Sequence, residues 1–179
     1  MSASSDELIE RAMQARREHR LDDAKLDLIE AVSICRQAGI KTELAWALKG
    51  LGQIERNQHS TENALRHYQE ATDIYRAEGS ALQLAHTVRH VADILRELGR
   101  VEAAEPYYCE ALTLYRGSQE ALPLDVANTI RGLAILKQDG GDSEQSRVLW
   151  EEARDLYASV HVDAGVKESA RRLSQLSKK

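Results

Sequence analysis

A trio of small and bulky residues returns four times along this chain at nearly constant distance. It reads Ala24, Leu28, Ala31; then Ala64, Tyr68, Ala71; then Ala104, Tyr108, Ala111; and last Ser146, Trp150, Ala153. Successive copies begin 40, 40 and 42 residues apart. A period of this size marks a stacked-repeat architecture, in which each unit buries its apolar face only against its neighbours. Such arrays offer long surfaces to other molecules and seldom carry chemistry of their own. The expected task is therefore an interaction, with the partner left unspecified.

Each period holds two helices. Ser4 with Glu7 forms a capping box before a first helix over about 5–18. Asp22 or Asp23 opens a second, which Gly39 closes in the left-handed conformation. Thr42 opens a third, to about Asn57. Ser60 opens a fourth that Gly79 ends, and Ser80 a fifth that Gly99 ends. The sixth covers about 101–116, and Pro123 suits the first turn of the seventh, where its missing N–H costs nothing. Gly140 and Gly141 end the seventh, and Asp142 or Ser143 caps the eighth. A last helix over about 163–177 carries Val166, Ala170 and Leu173 on one side and charge on the other. Short connections make neighbours antiparallel. With two prolines and no phenylalanine in 179 residues, an all-α chain follows.

The front helix of each pair repeats an apolar i, i+3, i+4 face: Leu48, Leu51, Gly52; Val88, Val91, Ala92; Ile130, Leu133, Ala134. The small closing residue lets two helix axes approach to the short end of their usual spacing. Ala24, Ala64 and Ala104 do the same on the back helices, with Tyr68, Tyr108 and Trp150 filling the adjoining gap.

This pattern resembles the tetratricopeptide repeat, whose helix pair carries bulky-x2-Leu-Gly/Ala and then Ala-x3-aromatic-x2-Ala. The clearest copy is Leu48, Leu51, Gly52, Ala64, Tyr68, Ala71. The first is degenerate, with Leu8, Arg11, Ala12, Ala24, Leu28 and Ala31. The period exceeds the family's usual one, the late proline is missing, and the large residue expected near the end of the front helix is replaced by Ala15, Glu55, Leu95 and Lys137. Longer units of this sort resemble those of kinesin light chains and bacterial regulatory proteins. The resemblance implies one domain over 1–179, a right-handed α-solenoid of antiparallel helix pairs. It has about four repeats, near 5–39, 42–79, 80–117 and 121–159, and a capping helix near 163–177.

In this family the front helices line a concave groove. The groove positions here are Ile9, Met13 and Arg16; Trp46, Lys49, Gln53 and Arg56; His86, Arg89, Asp93 and Arg96; and Asn128, Arg131, Ile135 and Gln138. Most of the charged ones are cationic, in a chain of net charge −5. Lys49, Arg89 and Arg131 hold equivalent places, so they are expected to form a ladder suited to carboxylates. Asn128 is placed to pin a peptide backbone and Trp46 to anchor an apolar side chain. The expected ligand is an acidic peptide segment or a chain terminus. The competing reading is a solvated basic face, locally neutralised by Glu62, Glu70, Glu102, Glu105 or Glu110, with Trp46 packed on the preceding repeat.

Signals for catalysis are absent. His86 and His90 have a metal-compatible spacing, but only Asp93 is near as a third ligand, and no glutamate follows His86 directly. Gly140-Gly141-Asp142 lacks the Lys-Ser/Thr of a phosphate loop and follows a helix. No nucleophile elbow is present. Cys35 and Cys109 are expected to be free thiols packed as small hydrophobes. Neither a cofactor nor a metal is expected. The acidic charge disfavours nucleic acid and anionic membrane. No apolar run is long enough to span a bilayer, and the amino terminus, lacking basic and apolar signal regions, reads as a frayed lead. The chain is thus expected to be a cytoplasmic, non-catalytic adaptor for a protein or peptide. The alternative is a structural homo-oligomer, such as a homodimer, joined through repeat faces or an open amino-terminal end around Ile9 and Met13.

Overall fold

A computed structural model of the chain describes residues 3–177, so Met1 and Ser2 of the expected lead lie outside the described residues. The chain divides into two compact units, Met1–Ser80 and Ala81–Lys179. Among the described residues every regular element is an α-helix.

The first unit holds α1 (Ser5–Arg17), α2 (Leu21–Ala38), α3 (Lys41–Asn57) and α4 (Thr61–Glu78). Its opening is the expected capping box: the Glu7 N–H donates to Ser4 Oγ at 3.3 Å and the Ser4 N–H to Glu7 Oε2 at 2.8 Å. The expected starts of α2 and α3 fall one or two residues late. Arg20 and Ile40 precede these helices, while Asp22 and Asp23 lie inside the first turn of α2, where a negative charge meets the positive helix end. Gly39 and Gly79 close α2 and α4 with φ of 71°. The front helices instead end on His19 and His59, both at φ 60°. The turn is secured there by the Arg20 N–H donating to the Ala15 carbonyl and the Ser60 N–H to the Glu55 carbonyl, each at 2.8 Å.

The repeat trios form the core of this unit. Ala24, Leu28, Ala31, Leu48, Leu51, Ala64, Tyr68 and Ala71 are all buried. Gly52 shows why its place is small: a Cβ there would lie 2.7 Å from the Tyr68 ring. On α1 the register changes character. Where α3 buries Ala47, Gly50, Leu51 and Ile54, α1 sets exposed Glu7, Glu10, Arg11 and Gln14 forty residues earlier. The outer face of the first helix is thus polar where the same register of α3 is apolar. Ile9, expected near an open end, is buried, and Met13 is 36% exposed.

The second unit holds α5 (Ala81–Glu97), α6 (Val101–Arg116), α7 (Pro123–Asp139), α8 (Ser143–Ser159) and α9 (Asp163–Leu176). Pro123 occupies the first turn of α7, and Asp142 caps α8 by accepting from the Gln145 N–H at 3.1 Å. Val88, Val91, Ala92, Ile130, Leu133, Ala134, Ala104, Tyr108 and Trp150 are buried. The Ser146 hydroxyl donates to the Ala134 carbonyl at 2.9 Å, which satisfies the one polar member of the trios.

Two expectations are corrected in this unit. The helix α9 buries Gly165 and Ser169, not the Val166–Ala170–Leu173 side, and Ala170 is exposed. Tyr157 sets that rotation, since a Cβ on Gly165 would lie 2.4 Å from its ring. Of the two free thiols, Cys35 is buried, and burial pushes its thiol pKa up, whereas Cys109 is exposed.

Candidate functional site

The expected groove positions are shared between the two compact units. In the first, α1 and α3 bring Met13, Arg16, Trp46 and Lys49 onto one face. Trp46 is 40% exposed, so its indole is not consumed by packing on the preceding repeat. The Lys49 ammonium stands 4.3 Å from the centroid of the Trp46 ring, a cation–π contact. Burial, and secondarily the Arg16 charge, hold the Lys49 pKa below the ordinary lysine value. Among the described residues no carboxylate comes within ion-pair distance of Lys49 or Arg16. Gln53 has a structural task. Its Oε1 accepts the Tyr68 hydroxyl at 3.3 Å, and its amide donates to Asn57 at 3.0 Å. Arg56 is half-buried beyond it.

The second unit brings His86, Arg89, Asp93 and Arg96 together on α5, and Asn128 and Arg131 on α7. Here the cations are answered from within the chain. Arg89 donates to Asp93 Oδ2 at 3.2 Å, and its other terminal nitrogen lies 3.1 Å from the His90 ring; the Arg89 and Asp93 side chains are each 12% exposed. Asp93 Oδ1 accepts the buried Tyr108 hydroxyl at 2.7 Å, and Arg96 donates to the same hydroxyl at 3.3 Å. Burial first, and then the Asp93 charge, push the Tyr108 pKa far up, so it is a permanent donor. Burial likewise pushes Tyr115, beside Arg89, to about 12.

Arg131 receives Glu168 of α9 in a two-pronged pair, Nε to Oε2 at 2.6 Å and a terminal nitrogen to Oε1 at 2.9 Å. That hydrogen bonding raises the Arg131 pKa and lowers that of Glu168. The Asn128 Oδ1, expected to meet a peptide backbone, accepts the Tyr157 hydroxyl at 2.8 Å. His86 and His90 stack edge-to-face, 4.6 Å between centroids. Among the described residues no three His, Cys, Asp or Glu side chains gather as a metal site would require.

A rule joins these contacts. Gln53 and Asp93 stand forty residues apart, and each accepts the hydroxyl of the repeat tyrosine in its own helix pair, Tyr68 or Tyr108. In the next copy the tyrosine becomes Trp150 and the acceptor becomes Ile135, buried like its neighbours. The repeat that nominated these front-helix positions as ligand contacts also pairs them with the back-helix aromatics, a co-variation legible within the sequence. Glu168 gave no such signal, because it belongs to the final helix, outside the repeated trio. Two of the expected neutralisers meet other cations: Glu70 pairs with Arg36 at 2.7 Å and Glu105 with Lys137 at 2.5 Å.

Comparisons with known proteins bear on the repeat itself. Residues 43–117 match the tetratricopeptide repeat model. No curated protein matches the chain. Among solved structures, BtubC (BKLC) from P. vanneervenii is similar over 97% of this chain and 71% of its own, with a TM-score of 0.83 at 20% identity. A Rap protein complexed with competence and sporulation factor aligns over 96% of this chain at TM-score 0.76 and 16% identity; this chain spans 48% of its length. Nearly identical TPR-like repeats from Podosopora anserina align over 99% of this chain and 97% of theirs, at TM-score 0.71 and 12% identity. At these identities the likeness establishes the fold, an all-α helical-repeat architecture of the solenoid class.

Proposed function

We propose, on the premise that this is a tetratricopeptide-repeat chain, that it is a non-catalytic interaction scaffold. It engages a partner protein or peptide through the α1/α3 face of its first unit. The observation that carries this reading is the pairing of exposed Trp46 with Lys49, with no carboxylate among the described residues beside the ammonium. An aromatic that retains exposed surface next to a cation lacking a counterion is the kind of group that anchors a partner. The groove reading of the second unit is correspondingly narrower: its cations hold the helices of that unit together and contribute shape rather than charge.

The partner is a protein or peptide segment rather than nucleic acid, consistent with a net charge of −5. Among the described residues no helix is long and apolar enough to cross a membrane. One similar structure, the Rap protein, holds competence and sporulation factor, which supports a ligand-holding role for arrays of this fold. The alternative of self-association through the amino-terminal end has against it the polar outward register Glu7, Glu10, Arg11 and Gln14.

Affinity capture from the source cell's lysate tests the proposal, using the immobilised chain beside its Trp46→Ala variant. A partner retained by the parent and lost from the folded variant is the expected result. A folded parent that retains nothing above background contradicts the scaffold reading.

A further inference from the structure

Back helices of this repeat meet one another through an acid and a cation. Glutamate recurs at one register, as Glu30, Glu70, Glu110 and Glu152, and arginine at another, as Arg36, Arg76 and Arg116. In the first unit one terminal nitrogen of Arg36, on α2, lies 2.8 and 2.7 Å from the two carboxylate oxygens of Glu70, on α4. In the second, Arg116 of α6 reaches Glu152 of α8 at 2.6 Å. Both glutamates are thus met by an arginine from the preceding back helix. Glu30 differs. It lies on α2, the first back helix, and among the described residues no side chain pairs with it.

The front helices repeat the contrast. Leu28 of α2 packs so closely on Gly50 of α3 that a Cβ there would lie 2.9 Å from Leu28 Cδ1. Forty residues earlier α1 carries Glu10, exposed and likewise unpaired among the described residues. The α1/α2 edge therefore shows two unanswered carboxylates, at the two places where a neighbouring back helix makes contact elsewhere in the unit. Residues of both helices line a crevice of about 350 Å³ there, among them Arg11, Gln14, Asp23, Leu26 and Asp27. Leu26 is 67% exposed. The cations of the crevice, Arg11 and Arg20, are engaged by Asp27 and Asp23, so the charge left over is negative.

We infer that this edge is a second docking surface, separate from the α1/α3 face, for a basic amphipathic helix of a partner protein. The helix lies beside α2 as α2 lies beside α4. It sets an arginine on Glu30, a lysine or arginine eight residues earlier on Glu10, and an apolar side chain on Leu26. That spacing is the one between Leu28 and Arg36, through which α2 itself meets Gly50 and Glu70. Glutamate in the place of glycine holds the visiting helix further off, so a long cationic side chain rather than leucine bridges the gap. Exposed ion pairs are individually weak, which suits an exchangeable occupant. A second copy of the chain is a poor match, because its own edge brings the same excess of acid. The surface adds to the scaffold reading and depends on neither Trp46 nor Lys49.

The test uses the full chain and labelled helical peptides with blocked ends, as long as α2 at 18 residues and built on alanine and leucine. The first carries two arginines eight residues apart beside the leucines. The second has glutamines in their place, and the third has the two arginines on the opposite side of the helix. Fluorescence anisotropy of the label reads binding. The first peptide is expected to bind at least about fivefold tighter than either control. Added salt is expected to shrink its advantage over the glutamine peptide. Glu10→Gln and Glu30→Gln are each expected to reduce that advantage about twofold and together to abolish it. Leu26→Ser is expected to weaken the first peptide, while Trp46→Ala leaves it unchanged. Equal binding of the first and third peptides, or no binding of the first, overturns the inference, as does an advantage that survives the double variant. Loss of the first peptide in Trp46→Ala places it on the α1/α3 face, so that the scaffold reading stands and this inference alone fails. Sedimentation of the chain by itself as a dimer that Leu26→Ser dissociates overturns it in favour of a second copy.

Discussion

The α1/α3 face of the first unit and the α5/α7 face of the second derive from the same repeat register, yet their cations have opposite standing. Lys49 leans on an indole beside Arg16, with no carboxylate in reach among the described residues. Arg89 and Arg131 are locked to Asp93 and Glu168. The repeat fixes where a side chain sits and leaves open whether it is satisfied. Satisfaction is decided by one further residue, Asp93 at a repeat position for Arg89 and Glu168, outside the repeated trio, for Arg131. A cation at a given repeat position is therefore structural where the chain supplies the acid and available where it does not.

The comparison breaks most visibly at Asp93. Asp93→Ala removes the acceptor of the Tyr108 hydroxyl and leaves the nearly buried Arg89 without its carboxylate. A loss of about 3 kcal/mol in urea unfolding is expected, concentrated in the second unit. A loss under about 1 kcal/mol would mean that the network is decorative.

A smaller effect belongs to Glu168. Its pair with Arg131 is partly exposed, so Glu168→Gln is expected to cost only about 1 kcal/mol at neutral pH. The sign with pH follows from the lowered carboxylate pKa. The native state holds the proton more weakly than the unfolded chain, so the stabilisation is fully present above the ordinary value of 4.5 and fades as pH falls through the lowered one. The gap in melting temperature between parent and Glu168→Gln is thus expected to close on acidification below that value. A gap that persists unchanged in acid would contradict the pairing.

The smallest effect sharpens the contrast by its sign. Lys49→Met gives up a cation–π contact of about 0.5–1 kcal/mol but also removes a half-buried charge that repels Arg16. Its stability is expected to match the parent within about 0.5 kcal/mol or exceed it. A clear loss would place an unrecognised anion beside Lys49.

Much of this was legible beforehand because steric need is local and periodic. Gly52 had to be small for Tyr68, and Leu48, Val88 and Ile130 had to be apolar, so the helix pairs and their faces followed from spacing alone. The helix ends were less legible. His19 and His59 take the left-handed place that Gly99 and Gly141 hold in later copies, and nothing in the spacing marks a histidine for that conformation. The candidate site was legible as a set of positions but not as a set of roles. Gln53, Asp93 and Asn128 serve tyrosine hydroxyls, and Arg131 serves Glu168; these obligations depend on side chains reaching across from other helices. Rotation of α9 about Gly165 likewise depended on the Tyr157 ring rather than on its own apolar stripe.

The most direct measurement is an NMR titration of the lysine side chains against pH. The ammonium of Lys49 is expected to lose its proton at lower pH than lysines in water, and to move back toward the ordinary value of 10.5 in Arg16→Met. A Lys49 that titrates at or above that ordinary value, unaffected by the loss of Arg16, would show that an acid of the chain already holds it.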